Sequence, residues 1–200
     1  MTAAGRRVIF AETDGRAQMT KMNTFQSAVL ADLFDRLPIG EEVDTLNFSL
    51  SGNFTGKFFA AFAEIKNVAE KASIVFTLPA YTNHVFFGLT RSKEPTVARL
   101  LANIEDYERE NSLELSFGEV VVIPDNTGSG DQHPHALLLT RTTTSRDLES
   151  VPDRTKIQSK VVTYFFAIPL NREELELRNK SGHDALIDRF VSTEKQLFFF

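Results

Sequence analysis

Val161-Val162-Thr163-Tyr164-Phe165-Phe166-Ala167-Ile168-Pro169-Leu170 is the stretch that decides the fold. A near-continuous apolar run of this length, rich in β-branched and aromatic residues, predicts a central strand buried on both faces. The residues after Leu170 read as helical. Asn171 can cap a helix, with Glu174 at the third helical position in capping-box spacing. Gly182 interrupts that helix, and Leu186, Ile187 and Phe190 predict one more helical piece.

Upstream of this strand the pattern alternates between strands and helices. Asn23 to Leu37 reads as an amphipathic helix, with Phe25, Val29, Leu33 and Leu37 on one face and Asn23 and Gln26 in capping-box spacing. Val43 to Ile65 reads as β-structure, turning at Ser51-Gly52-Asn53 and carrying Phe54, Phe58 and Phe62 on one face. Ser73 to Leu78, closed by Pro79, and Val85 to Leu89 are two further strands. Thr96 to Glu110 is the clearest helix, with Val97, Leu100, Leu101, Ile104 and Tyr107 as its buried stripe. Leu113 to Phe117, Glu119 to Ile123 and Ala136 to Arg141 read as strands. Thr142 to Ser159 is polar, lacks a period and reads as a long excursion. There is no internal repeat. The predicted class is α+β: a single domain with a mixed, mostly antiparallel sheet flanked by helices. Val161–Leu170 should be interior, with the helices at 24–37, 97–110 and 172–190 packed on the sheet.

Composition narrows the function. The chain has 200 residues, 42% of them hydrophobic and 24% charged, as globular domains do. It has no cysteine, which excludes disulfides, thiolate nucleophiles and Cys-ligated zinc. A net charge of −5 disfavours a nucleic-acid partner and suits a basic protein. No apolar run is long enough for a membrane span, and the N-terminus lacks the apolar core of a signal peptide, so the expected location is cytoplasmic. Residues 1–22 read as an irregular N-terminal segment.

From residue 72 to 192 the chain resembles the suppressor-of-fused (SUFU-like) domain family. The similarity rests on Phe165-Phe166-Ala167-Ile168-Pro169-Leu170, then Glu173-Glu174-Leu175-Glu176, then Gly182-His183-Asp184-Ala185-Leu186, and earlier on Ser73-Ile74-Val75-Phe76-Thr77-Leu78-Pro79. The chain departs from the family in having no Trp and in its first 70 residues. The resemblance implies a binding module rather than an enzyme. Animal members sequester a transcription factor. Bacterial single-domain members look like immunity proteins that neutralise a toxin, and a domain of this length is more like the bacterial kind. The expectation is therefore a protein partner, with a basic toxin foremost and an endogenous regulated protein second. A small metal-dependent hydrolase is the third reading.

Two stretches carry polar groups that the fold does not obviously require. Glu105, Asp106, Glu108 and Glu110 crowd the C-terminal end of a helix, where the dipole prefers cations, and could steer a basic partner as an exposed acidic face. The loop from Pro124 to His135 holds Asp125, Asn126, Asp131, His133 and His135. His133 and His135 have the spacing of metal ligands on a strand, and Asp131 could add a carboxylate, but Pro134 breaks the strand between them. We assign the loop to partner contact and expect no bound metal and no cofactor. Phe198-Phe199-Phe200 is expected to fold back onto the core or to make an oligomer or partner contact; the oligomeric state stays open.

Overall fold

The computed structural model describes residues 7–11, 22–48, 58–66, 72–123 and 134–199. Its strands, in chain order, are β1 (Arg7–Ala11), β2 (Ile39–Phe48), β3 (Phe58–Ile65), β4 (Ser73–Leu78), β5 (His84–Thr90), β6 (Val120–Val122), β7 (Ala136–Thr140), β8 (Arg154–Ile157), β9 (Lys160–Leu170) and β10 (Phe198–Phe199). The helices are α1 (Thr24–Arg36), α2 (Pro95–Asn111) and α3 (Arg172–Ser192). Among the described residues the strands form one ten-stranded sheet in the order β1-β2-β3-β4-β5-β9-β7-β6, with β8 paired to β9 and β10 to β5. Most pairings are antiparallel; β1 with β2, β5 with β9 and β10 with β5 are parallel.

The decisive run is interior, as its composition predicts. Residues 163–166 pair with β5 on one side and 166–170 with β7 on the other. Successive side chains enter opposite cores, which is why the run is apolar on both faces. Val162, Tyr164, Phe166, Ile168 and Leu170 face one core with Val29 and Leu33 of α1. Phe165 and Ala167 face the other with Val97, Leu101 and Ile104 of α2. Each fully buried Phe contributes about 1.5–3 kcal/mol, so the two aromatic-filled layers are the main source of stability. Within the run only Val161, near the start of the strand, is exposed.

Both capping boxes form. Asn23 Oδ1 accepts from Gln26 N–H at 2.8 Å and Asn171 Oδ1 from Glu174 N–H at 2.9 Å, each reciprocated by the partner side chain. Gly182, at φ 90°, adopts a backbone conformation that favours glycine and splits α3 into two helical pieces. The turn at 51–53, Phe54 and Phe200 lie outside the described residues.

The structure differs from the sequence reading at four places. Arg7–Ala11 is a strand rather than irregular. Arg154–Ile157 is a strand within the supposed excursion, its alternation masked by the exposed Arg154 and Lys156. Leu113–Phe117 is not a strand, because its donors are spent locally: Leu113 N–H on Glu108 C=O, Leu115 N–H on the Glu108 carboxylate, and Ser116 N–H on that of Glu119. Tyr107 is 43% exposed, and Glu105 and Glu108 take its place on the buried face of α2. Among the described residues no helix is long and apolar enough to cross a membrane.

Candidate partner-binding site

The C-terminal end of α2 is a buried polar anchor. Glu105 is fully buried. One of its oxygens, Oε1, accepts from the backbone N–H groups of Ala80, Tyr81 and Thr82 at 2.9, 2.7 and 2.8 Å, and from the Thr82 hydroxyl at 3.1 Å. These three amides follow Pro79 in the β4–β5 turn and have no ladder to join, so the carboxylate serves as their acceptor. Burial pushes the Glu105 carboxyl above its ordinary value, and the converging donors pull it part of the way back.

One turn on, Glu108 is 1% exposed. Both its oxygens lie 2.9 Å from His84 Nδ1 at the head of β5. A carboxylate only accepts, so Nδ1–H donates and Nε2 is left as the second ring nitrogen. Oε1 also takes the Leu115 N–H at 2.9 Å. Phe165 stands edge-on to the imidazole at 5.2 Å. Asp106 pairs with Arg109, whose guanidinium lies 4.9 Å from the centre of the Tyr81 ring. Burial pushes the Tyr81 hydroxyl up to about 12, against the opposing pull of the Arg109 cation.

This corrects the expectation of an exposed acidic face. Glu105, Asp106 and Glu108 are buried and engaged; of the four acids only Glu110 is exposed. The helix end tolerates the acids because Glu105 and Glu108 satisfy N–H donors of the adjoining turn and loop, and Asp106 pairs with Arg109. Charge reversal there would strike the core. From the second stretch, Asp125, Asn126, Asp131 and His133 lie outside the described residues. His135 is half-buried, and its backbone extends the sheet, donating to Leu170 C=O at 2.8 Å and accepting from Ile123 N–H at 2.9 Å. Among the described residues there is no group of three or more His, Asp or Glu that could hold a metal ion.

A wide concavity lies elsewhere. A cleft of about 950 Å³ opens between the turn at 116–119, the end of β7, and the second half of α3 with the segment after it. Its apolar walls are Phe117, Ile168, Ile187, Phe190, Val191 and Leu197. Arg141 stands at its rim, paired to Asp153 at 2.5 Å and 5.3 Å from the Phe117 ring centre. Phe117 is seated on Phe165 at 4.8 Å. Ile187 is 36% and Val191 74% exposed, whereas the adjacent Leu186 is fully buried. The sequence reading put Leu186, Ile187 and Phe190 in one helix without separating their faces. The available signal was the width of the stripe: 186 and 190 already fill the buried face, so 187 and 191 are apolar residues in excess of packing needs.

A mixed sheet with α1 on one face and α2 on the other, closed by a kinked helix, defines the chain as an α+β protein. The particular fold is suppressor-of-fused-like. A SUFU (suppressor of fused) homologue from Neisseria gonorrhoeae is similar over 87% of this chain and 92% of its own, with a TM-score of 0.63 at 13% identity. The Sufu–Fu complex matches at 0.43 and 12% identity, over 76% of this chain and 69% of that one. Drosophila Suppressor of Fused matches at 0.41 and 13%, over 76% and 38%. No family model and no curated protein matches the sequence.

Proposed function

We propose that this protein is a non-enzymatic protein-binding domain that seats its partner in the cleft between α3 and the 116–119 turn. The observation that carries the reading is the pair Ile187 and Val191, exposed one helical turn apart on a wall that continues into Phe117 and Leu197. Apolar side chains gathered in a cleft with a charged rim are the mark of a protein contact rather than of free surface. Glu110, His135 and the loop residues Asp125, Asn126, Asp131 and His133 are proposed as further partner contacts. Glu105, Asp106 and Glu108 act behind them, holding α2 and the 113–119 loop in place.

The kind of partner we favour is a basic toxin, neutralised in the cytoplasm by this chain as an immunity protein. The net charge of −5 supports it, as does a length close to that of the bacterial homologue of the same fold. The test is co-expression with a toxin encoded beside the gene. The wild-type chain should restore growth, and the Ile187→Glu/Val191→Glu double variant should not, although its circular dichroism is unchanged. Full protection by the double variant removes the cleft from the mechanism.

A further inference from the structure

β10 occupies the place where two neighbouring strands part. His84–Phe87 of β5 pair with β9, but Leu89 and Thr90 pair instead with Phe198 and Phe199. The chain reaches this seam directly from the cleft. After α3 it turns at Glu194, a non-glycine residue with φ 48°, and residues 194, 195 and 197 then line the cleft before Phe198 joins the sheet. Two anchors hold this segment. Lys195 Nζ lies 2.7 and 2.8 Å from the Glu174 carboxylate, the same group that caps the start of α3. Phe199 is 1% exposed and sits against Gly88, where a methyl group would lie 2.8 Å from its Cε2 atom and 3.2 Å from Cδ2. Gly88 thus keeps open the notch that the ring fills.

We propose that residues 193–199 are a strap whose seating, fixed by Phe199 in the Gly88 notch, builds one wall of the partner cleft, so that strap opening gates binding there. The energetics favour partial opening. Among the described residues the ladder is two residues long, whereas β4 is paired with β3 along its whole length and with β5 along most of it. Units held by so few ladder hydrogen bonds open below the free energy of global unfolding. Coupling between cleft and strap is reciprocal: an occupant that touches the Leu197 wall favours the seated strap, and a seated strap favours the occupant.

The consequence for binding rests on the cleft reading above, but the test needs no partner. Deuterium exchange is followed by mass spectrometry in segments 194–199 and 74–78. In parallel a polarity-sensitive fluorophore is attached to Val191→Cys, the single thiol in a chain without cysteine. In the wild type, 194–199 should exchange at least ~10-fold faster than β4. Gly88→Ala adds a methyl whose tightest contact is with a ring on a short strand, and which also lies 3.3 Å from Val75 Cγ1 of β4. It should raise exchange in 194–199 a further ~10-fold, leave 74–78 protected, and red-shift the fluorophore as water enters the cleft. Unchanged exchange in Gly88→Ala overturns the notch. Raised exchange with an unmoved fluorophore overturns the gate. Should Gly88→Ala lose protection throughout, Phe199→Ala, which adds nothing to the sheet, decides: global loss there too makes the segment part of the cooperative core and overturns the strap. Should the strap hold while the Ile187→Glu/Val191→Glu variant still protects cells, the partner reading alone falls.

Discussion

The end of α2 and the second half of α3 use their side chains in opposite senses. In α2 even carboxylates are buried: Glu105 and Glu108 lie on the inner face and carry a turn, a loop and an imidazole. In α3 even aliphatics are exposed: Ile187 and Val191 stand at the surface beside a buried Leu186. Residue type alone points the wrong way in both helices. What separates them is the demand of the neighbouring backbone. The 80–82 turn presents N–H groups that require an acceptor, so α2 supplies one; the face of α3 next to Ile187 meets no such demand and, among the described residues, no covering element. The first helix is a structural anchor and the second leaves apolar side chains at the surface.

Truncating the anchor gives the largest effect. Glu105→Ala leaves three backbone N–H groups and a hydroxyl without their acceptor. At about 1–3 kcal/mol for each unsatisfied buried donor, discounted for partial water access, the expected loss is about 3 kcal/mol or more. Urea denaturation measures it. A loss under about 0.5 kcal/mol, the range of ordinary surface positions, would erase the distinction between the two helices.

Much of the fold is legible in the sequence because its signals are local. Asn23–Gln26 and Asn171–Glu174 announce helix starts through spacing alone, and the run from Val161 to Leu170 announces a strand buried on both faces through composition alone, although Val161 itself is exposed. The site is less legible because its determinants are tertiary. Glu105 and Glu108 look like a solvated face until the turn at 80–82, some two dozen residues earlier in the chain, is seen to need an acceptor. Leu113, Leu115 and Phe117 alternate as a strand does, yet a glutamate seven residues before Leu115 takes that residue's N–H. His84 gives no signal by itself, and its pairing with Glu108 requires β5 and α2 to be brought together. The cleft exists only because α3 kinks at Gly182 and the segment beyond it returns to β5.

A smaller effect sharpens the account of the anchor by separating its charge from its geometry. Glu105→Gln keeps an oxygen for the N–H donors and removes the ionisable group, so it should cost about 1 kcal/mol, in line with one ordinary hydrogen bond. The pH dependence has a defined sign. Burial raises the Glu105 carboxyl, so the folded state holds this proton more tightly than the unfolded chain. Its contribution is therefore fully present below the ordinary carboxyl range and is lost as pH rises through the raised value. The gap between wild type and Glu105→Gln should narrow from acid towards neutral pH. A gap that widens would mean that the N–H donors outweigh burial and hold the carboxyl low.

The smallest expected effect falls on α3. Ile187→Ser and Val191→Ser remove apolar surface that water already reaches, so little transfer free energy is at stake and no cavity forms. Each should change stability by less than about 0.5 kcal/mol in either direction, as at other surface sites. Their consequence belongs to surface chemistry instead. A hydrophobic dye that fluoresces in apolar clefts should bind the wild-type chain and lose most of that signal in the double variant, while the unfolding midpoint stays put. The two readouts together are what discriminate. If the double variant lost stability as Glu105→Ala does, Ile187 and Val191 would be core residues whose exposure is incidental. If dye binding and stability were both unchanged, the wall of α3 would be ordinary surface, and the exposed Glu110 at the end of α2 would be the better place to look for a partner.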